Sequence, residues 1–136
     1  MPINLIIVDD HEIFRTGLRD ILKRIDIDFN VIADATNGKE IVDLVIREQP
    51  DIILMDVEMP VMNGIDATNK IVQQFPKIGI IALSMSNERR TVCDMVVAGV
   101  RGYLLKNTHK DELRLAIRKV YEGGNYYCKE VAKYIN

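Results

Sequence analysis

Four short stretches of this chain, residues 5–8, 51–55, 78–83 and 103–105, are almost wholly apolar, with no alternation of polar and apolar positions. A strand with one face in water alternates with a period of two, so such runs suit a parallel sheet covered on both faces. A fifth run, residues 31–35, is weaker and reads as an edge. Between the runs the period changes. Ile13, Gly17, Leu18, Ile21, Leu22 and Ile25 recur at helical spacing, with Arg15, Arg19, Asp20, Lys23 and Arg24 elsewhere around the wheel. Ile41, Leu44 and Val45 repeat the pattern, as do Ile65, Thr68, Ile71, Val72 and Phe75, and then Val92, Met95 and Val96. The last helix carries Leu113, Ala116, Ile117 and Val120. It opens on THKDE, where Thr108 reads as the cap with Asp111 three residues on. Strand and helix therefore alternate five times. Right-handed crossovers turn that order into an α/β fold, a doubly wound five-stranded parallel sheet with helices on both faces.

At 136 residues the chain is the size of one domain. Its 48% hydrophobic and 28% charged residues give an ordinary globular balance, and a formal charge of −2 supplies no basic field to draw in nucleic acid. No stretch approaches the roughly 20 apolar residues that span a bilayer, and the start lacks a basic-then-apolar signal pattern. Cys93 and Cys128 belong to no CxxC or Cys/His cluster and read as thiols of a reducing cytoplasm.

In a doubly wound sheet, ligands bind outside the carboxyl ends of the strands. The residues there are Asp9 and Asp10 after the first run, Asp56 after the third, Ser84 after the fourth and Lys106 after the fifth. Alone, each has an ordinary structural reading. Asp10 can cap a helix, Asp56 can open the turn MPVMNG, Ser84 can cap, and Lys106 can be a solvated loop cation. Together they are harder to explain, because three carboxylates at one edge repel one another. A divalent cation relieves the crowding, and hard oxygen ligands suit Mg²⁺. Asp56 is then a candidate nucleophile toward a phosphoryl group, with Mg²⁺ and Lys106 neutralising the transferring oxygens and Ser84 donating to the attached phosphoryl group.

The motifs VDDHEIFRTGL, DIILMDVEMPVMNGIDA, IIALSMS and GVRGYLLKN resemble, in order and spacing, the receiver domain of two-component response regulators, across residues 3–122. The resemblance implies a flavodoxin-like (CheY-like) (βα)5 fold in a receiver domain of residues 1–122. It implies a phosphorylation site at Asp56, supplied by the phosphohistidine of a sensor histidine kinase. It makes Asp10 a direct Mg²⁺ ligand, Asp9 a water-mediated one and the Glu58 backbone carbonyl a further one beside Asp56. Lys106 would pair with the acyl phosphate, and Ser84 and Tyr103 would form the switch pair. A structural reading of Tyr103, covering the sheet edge with its hydroxyl wet, stays open.

The stretches DDHEIFRTGL and LSMS, with the tail EGGNYYCKEVAKYI, are similar to the NarL/FixJ (LuxR-type) subfamily. That implies a cytoplasmic transcription factor whose DNA-binding helix-turn-helix follows the receiver and lies outside this chain, with a homodimer among its partners and no membrane. Residues 123–136 then read as a linker with a short terminal helix. Val131, Tyr134 and Ile135 form its apolar side, turned toward the output domain or docked on the receiver. Asn107 stands where many receivers have proline. Met85 is bulky where many have a small residue, which narrows access to the acyl phosphate. His11 reads as solvent-facing in the first helical turn, and His109 has no metal partner in view. Glu88, Arg89, Arg90, Arg114, Arg118 and Lys119 read as a solvated or partner-facing surface, and Gly123-Gly124 as a helix stop.

Two other functions fit parts of the pattern. A Mg²⁺-dependent phosphatase with an aspartyl nucleophile carries a second acid two residues on, where Glu58 stands, but no specificity cap is read here. A flavin-binding flavodoxin-like domain needs a phosphate loop after the first strand, where acids would repel the phosphate.

Overall fold

The computed structural model describes residues 1–135; Asn136, the end of the tail segment 123–136, lies outside the described residues. The elements run β1 (Ile3–Val8), α1 (Glu12–Ile25), β2 (Phe29–Ala35), α2 (Gly38–Glu48), β3 (Ile52–Met55), α3 (Gly64–Gln74), β4 (Gly79–Ser84), α4 (Arg89–Ala98), β5 (Gly102–Leu105), α5 (Lys110–Tyr121), β6 (Tyr126–Tyr127) and α6 (Lys129–Ala132). All strand pairs are parallel, in the order β2-β1-β3-β4-β5-β6. The chain steps outward from β1 to β2 and then back across to β3. That reversal opens a crevice at the carboxyl ends of β1 and β3.

Every residue of β3 and β4 is buried, and so is all of β1 except Asn4. Each Ile or Leu so buried stabilises the fold by about 1.5–3 kcal/mol, so these three strands anchor the sheet. β2 is the edge that its weaker pattern suggests, with exposed Asn30 and Asp34. Register then sets the site. Val8 pairs with Met55, which places Asp9 beside Asp56, and Ser84 pairs with Leu105, which brings Lys106 to the same rim. The Asp56 amide donates to the Val8 carbonyl at 2.9 Å and the Lys106 amide to the Ser84 carbonyl at 2.8 Å.

Several local expectations are corrected, and others are settled. The sheet has six strands rather than five, because Tyr126 and Tyr127 pair with Gly102 and Tyr103. The tail docks on the domain: Cys128 and Val131 are buried, and Tyr134 and Ile135 pack against the core. In α1, the buried face is carried by Leu18 and Leu22 with Phe14 and Ile25 beside them, while Ile13 is 89% exposed and Ile21 is also outside. His109, not Thr108, caps α5, its Nδ1 accepting from the Asp111 amide; Thr108 instead donates to Glu112 Oε1 at 2.8 Å. Arg114 and Arg118 are not a free surface, since both reach Asp26. Gly123, at φ +97°, ends α5 as a helix stop should. Both cysteines are free thiols.

Candidate functional site

Asp9, Asp10, His11 and Asp56 each place one potential ligand atom within 4.8 Å of the others at the β1/β3 crevice. Asp9 is the deepest. Its Oδ1 accepts from the His11 amide at 2.8 Å, so Asp9 rather than Asp10 satisfies the start of α1, and His11 occupies the N-cap position without capping through its ring. The His11 ring faces solvent as expected. Its Nδ1 nevertheless lies 3.0 Å from Asp9 Oδ1 and 3.2 Å from Asp10 Oδ1, so it touches both acids. Asp10 is the exposed member of the pair, turned toward the cleft.

Asp56 is buried at the end of β3, and its Oδ1 accepts from the Val57 amide at 2.9 Å. Lys106 Nζ lies 3.5 Å from Asp56 Oδ2 but only 2.6 Å from Asp9 Oδ2. The closer pair is a buried ion contact, so the ammonium sits on Asp9 and reaches Asp56 only at longer range. The Lys106 ammonium also rests 4.6 Å over the Phe14 ring, a support the sequence pattern did not single out. Burial, reinforced by the neighbouring Asp9 charge, pushes the Asp56 carboxyl up to about 6, although Lys106 and the Val57 amide pull the other way. One ammonium therefore does not neutralise this corner. Three clustered carboxylates against one ammonium, and a carboxyl that resists ionisation, fit a hard divalent cation.

Ser84 and Tyr103, the expected switch pair, lie on the neighbouring strands β4 and β5. Ser84 is buried, and its Oγ accepts from the Ser86 amide at 3.0 Å. Tyr103 has no exposed surface, and its hydroxyl donates to the Ser86 carbonyl at 2.6 Å, so the wet-hydroxyl reading is overturned: the ring points inward. Burial raises its phenol above the usual value. Asp10, His11, Asp56, Glu58, Ser84, Met85, Ser86 and Lys106 line one open cleft, with Met85 81% exposed at its mouth. Ser86 entered through its backbone, which no side-chain motif advertises.

The turn after Asp56 is under strain. Val61 has φ +69° between Pro60 and Met62, with the Met62 amide donating to the Pro60 carbonyl at 2.7 Å. Gly64 is there because a Cβ would overlap the Asp56 carbonyl oxygen; its amide donates to the Val57 carbonyl at 2.7 Å. The glycine of MPVMNG thus lets α3 press directly on the backbone that presents Asp56.

Residues 5–118 match the family model for the response regulator receiver domain. The transcriptional regulatory protein DegU of Brevibacillus brevis is 39% identical over 129 residues, covering 95% of this chain and 54% of that protein. The oxygen regulatory protein NreC of Staphylococcus epidermidis is 37% identical over 123 residues, covering 90% and 56%. The chain thus spans about half the length of these relatives. A LuxR-family two-component response regulator from Aurantimonas sp. SI85-9A1 superposes with a TM-score of 0.92 at 30% identity, covering 99% of this chain and 96% of that one. On the strength of a match across most of its length, the chain belongs to the response regulator receiver domain family, among relatives of the LuxR type.

Proposed function

We propose that Asp56 is the phosphoacceptor of a two-component relay. Its carboxylate oxygen attacks the phosphorus of a phosphohistidine on a sensor histidine kinase. The P–N bond breaks, the imidazole leaves with a proton, and Asp56 becomes an acyl phosphate. The observation that carries the reading is a buried Asp56 flanked by a second acid and by Lys106, open to one cleft. Asp9, Asp10, Asp56 and the Glu58 carbonyl would hold Mg²⁺, which when bound neutralises charge on the transferring oxygens. Lys106 leaves Asp9 for the phosphoryl oxygens, and Ser84 donates to them. Tyr103, already inward, holds the loop after β4 in the geometry that this move requires.

The tail leads toward a helix-turn-helix that would bind DNA, as a homodimer, in the cytoplasm. Among the described residues no helix is long and apolar enough to cross a membrane. The phosphoacceptor makes and loses its own acyl phosphate in service of signalling rather than turning over a free substrate.

Incubation with phosphoramidate and Mg²⁺, followed by intact-mass measurement, tests the chemistry. One base-labile phosphate is expected on wild type and none on Asp56→Asn. Equal labelling of the two, or an unlabelled wild type, overturns the reading.

A further inference from the structure

Arg15 belongs by its position on the wheel to the polar side of α1, yet its side chain is only 13% exposed. Its Nη1 donates to the main-chain carbonyl oxygen of Asp9 at 2.7 Å. Its Nε is sealed from solvent, makes no hydrogen bond, and faces Asp34 Oδ2 on β2 at 3.5 Å. Arg19 Nη2 reaches the same Asp34 oxygen at 3.4 Å, so the anchor is itself held. One guanidinium thus joins the end of β1, the second turn of α1 and the edge strand, directly behind the acidic corner.

The bonded carbonyl belongs to the rigid peptide plane between Asp9 and Asp10. Fixing that plane fixes the direction in which the Asp10 backbone leaves β1, and with it the point from which the Asp10 carboxylate starts. On the other side, the Asp9 amide is tied to the Ala35 carbonyl at 3.0 Å. Asp9 is therefore bracketed by β2 through its amide and by Arg15 through its carbonyl. A guanidinium suits this task because its fork addresses a carbonyl and a carboxylate at once, whereas an ammonium is a single point charge.

We propose that Arg15 is a positioning residue for the divalent-cation site: by holding the Asp9 carbonyl against Asp34, it sets the relative placement of the Asp9 and Asp10 carboxylates. This rests on the magnesium reading above and deepens it. Outer partners of metal ligands typically contribute about ten- to a hundred-fold in affinity.

The test is calorimetric titration of Mg²⁺ into the folded protein, for wild type, Arg15→Gln, Arg15→Lys and Asp34→Asn. Arg15→Gln should bind about ten- to a hundred-fold more weakly. Arg15→Lys should recover part of the loss, because it can still donate to the carbonyl but cannot also engage Asp34. Asp34→Asn should fall between Arg15→Gln and wild type. Wild-type affinity in Arg15→Gln overturns the proposal, and so does an Arg15→Lys no better than Arg15→Gln. Should Arg15→Gln fail to fold, wild-type affinity in Asp34→Asn overturns it, since that half-exposed side chain can be changed without loss of the core. A wild type that binds no Mg²⁺ defeats the magnesium reading and this inference with it, whereas equal binding by wild type and Arg15→Gln defeats this inference alone.

Discussion

At the amino-terminal end of the sheet Asp26 and Asp28 meet Arg114 and Arg118, whereas at the carboxyl end Asp9 and Asp56 share the ammonium of Lys106, with Asp10 beside them against His11. At the first end the geometry is complete. Arg118 grips Asp26 through Nε at 2.9 Å and Nη2 at 2.8 Å, its Nη2 also reaches Asp28 at 2.8 Å, and Arg114 Nε lies 3.1 Å from Asp26. Burial alone would raise the Asp26 carboxyl. The hydrogen bonds from Arg118 and the Asp28 amide, with the charges of Arg118 and Arg114, bring it below the usual value instead. At the second end the shift has the opposite sign, with Asp56 pushed up to about 6. Both carboxyls have little exposed surface, but Asp56 lies deeper and faces a second acid, whereas Asp26 sits at the periphery and is met by two arginines. Depth and neutralisation together set the opposite signs. The paired cluster ties α5 to the turn before β2, whereas the carboxyl-end cluster keeps excess negative charge at an open cleft.

Substitutions at the two ends should therefore fail in different ways. The largest effect is expected from Gly64→Ala, which forces a methyl into the Asp56 carbonyl. It should cost roughly 3 kcal/mol in denaturant melts and also lower phosphorylation by phosphoramidate. Full labelling of a stable variant would show that α3 does not brace the acceptor. At the other end, Asp26→Asn should lower Tm by roughly 5 °C at neutral pH while leaving phosphorylation intact. Because the folded Asp26 carboxyl lies below its unfolded value, its contribution is present above about pH 4 and lost as pH falls through the folded value. The gap in Tm between variant and wild type should close below that pH; a gap constant from pH 7 to pH 3 would mean the arginine pairing is not its source.

Smaller effects sharpen the contrast at the carboxyl end. Met85→Ala, at the mouth of the cleft, should shorten the acyl-phosphate half-life a few-fold by admitting water, with no change in Tm. An unchanged half-life removes the steric role of that side chain. Smallest of all, Val61→Asn should raise stability by about 0.5–1 kcal/mol, since Val61 is exposed, strained at φ +69°, and asparagine tolerates that region. A lower Tm there would show that the turn needs valine for a reason other than backbone conformation.

Much of the site is legible in the sequence. Asp9, Asp10, Asp56, Ser84 and Lys106 were recoverable because each directly follows an apolar run, and parallel strands deliver their carboxyl ends to one rim. The inward ring of Tyr103 was one of two open readings; its partner, the Ser86 carbonyl, was not legible, since a carbonyl carries no residue-type signal. The role of Gly64 was half legible: a glycine closing a loop reads as a turn, and only the packing of α3 on Asp56 reveals the close approach. The sixth strand escaped because two residues are too short for a period, and Tyr126 and Tyr127 pair only once β5 offers its edge. Ile13 and Ile21 misled for the opposite reason, since helical spacing marks a face without saying whether anything covers it.

By itself, then, the order of residues determined the alternation of strand and helix, the doubly wound sheet and the identity of the groups at its carboxyl rim. Those follow from hydrophobic periodicity and from the chirality of parallel connections, both local properties of an L-amino-acid chain. The tertiary structure alone decided which charges meet: Lys106 with Asp9 before Asp56, Arg15 with the Asp9 carbonyl, and Arg118 with Asp26 across 92 positions of sequence. Such pairings depend on where helix flanks come to rest against the sheet, and long flexible cations take whichever partner that packing brings within reach.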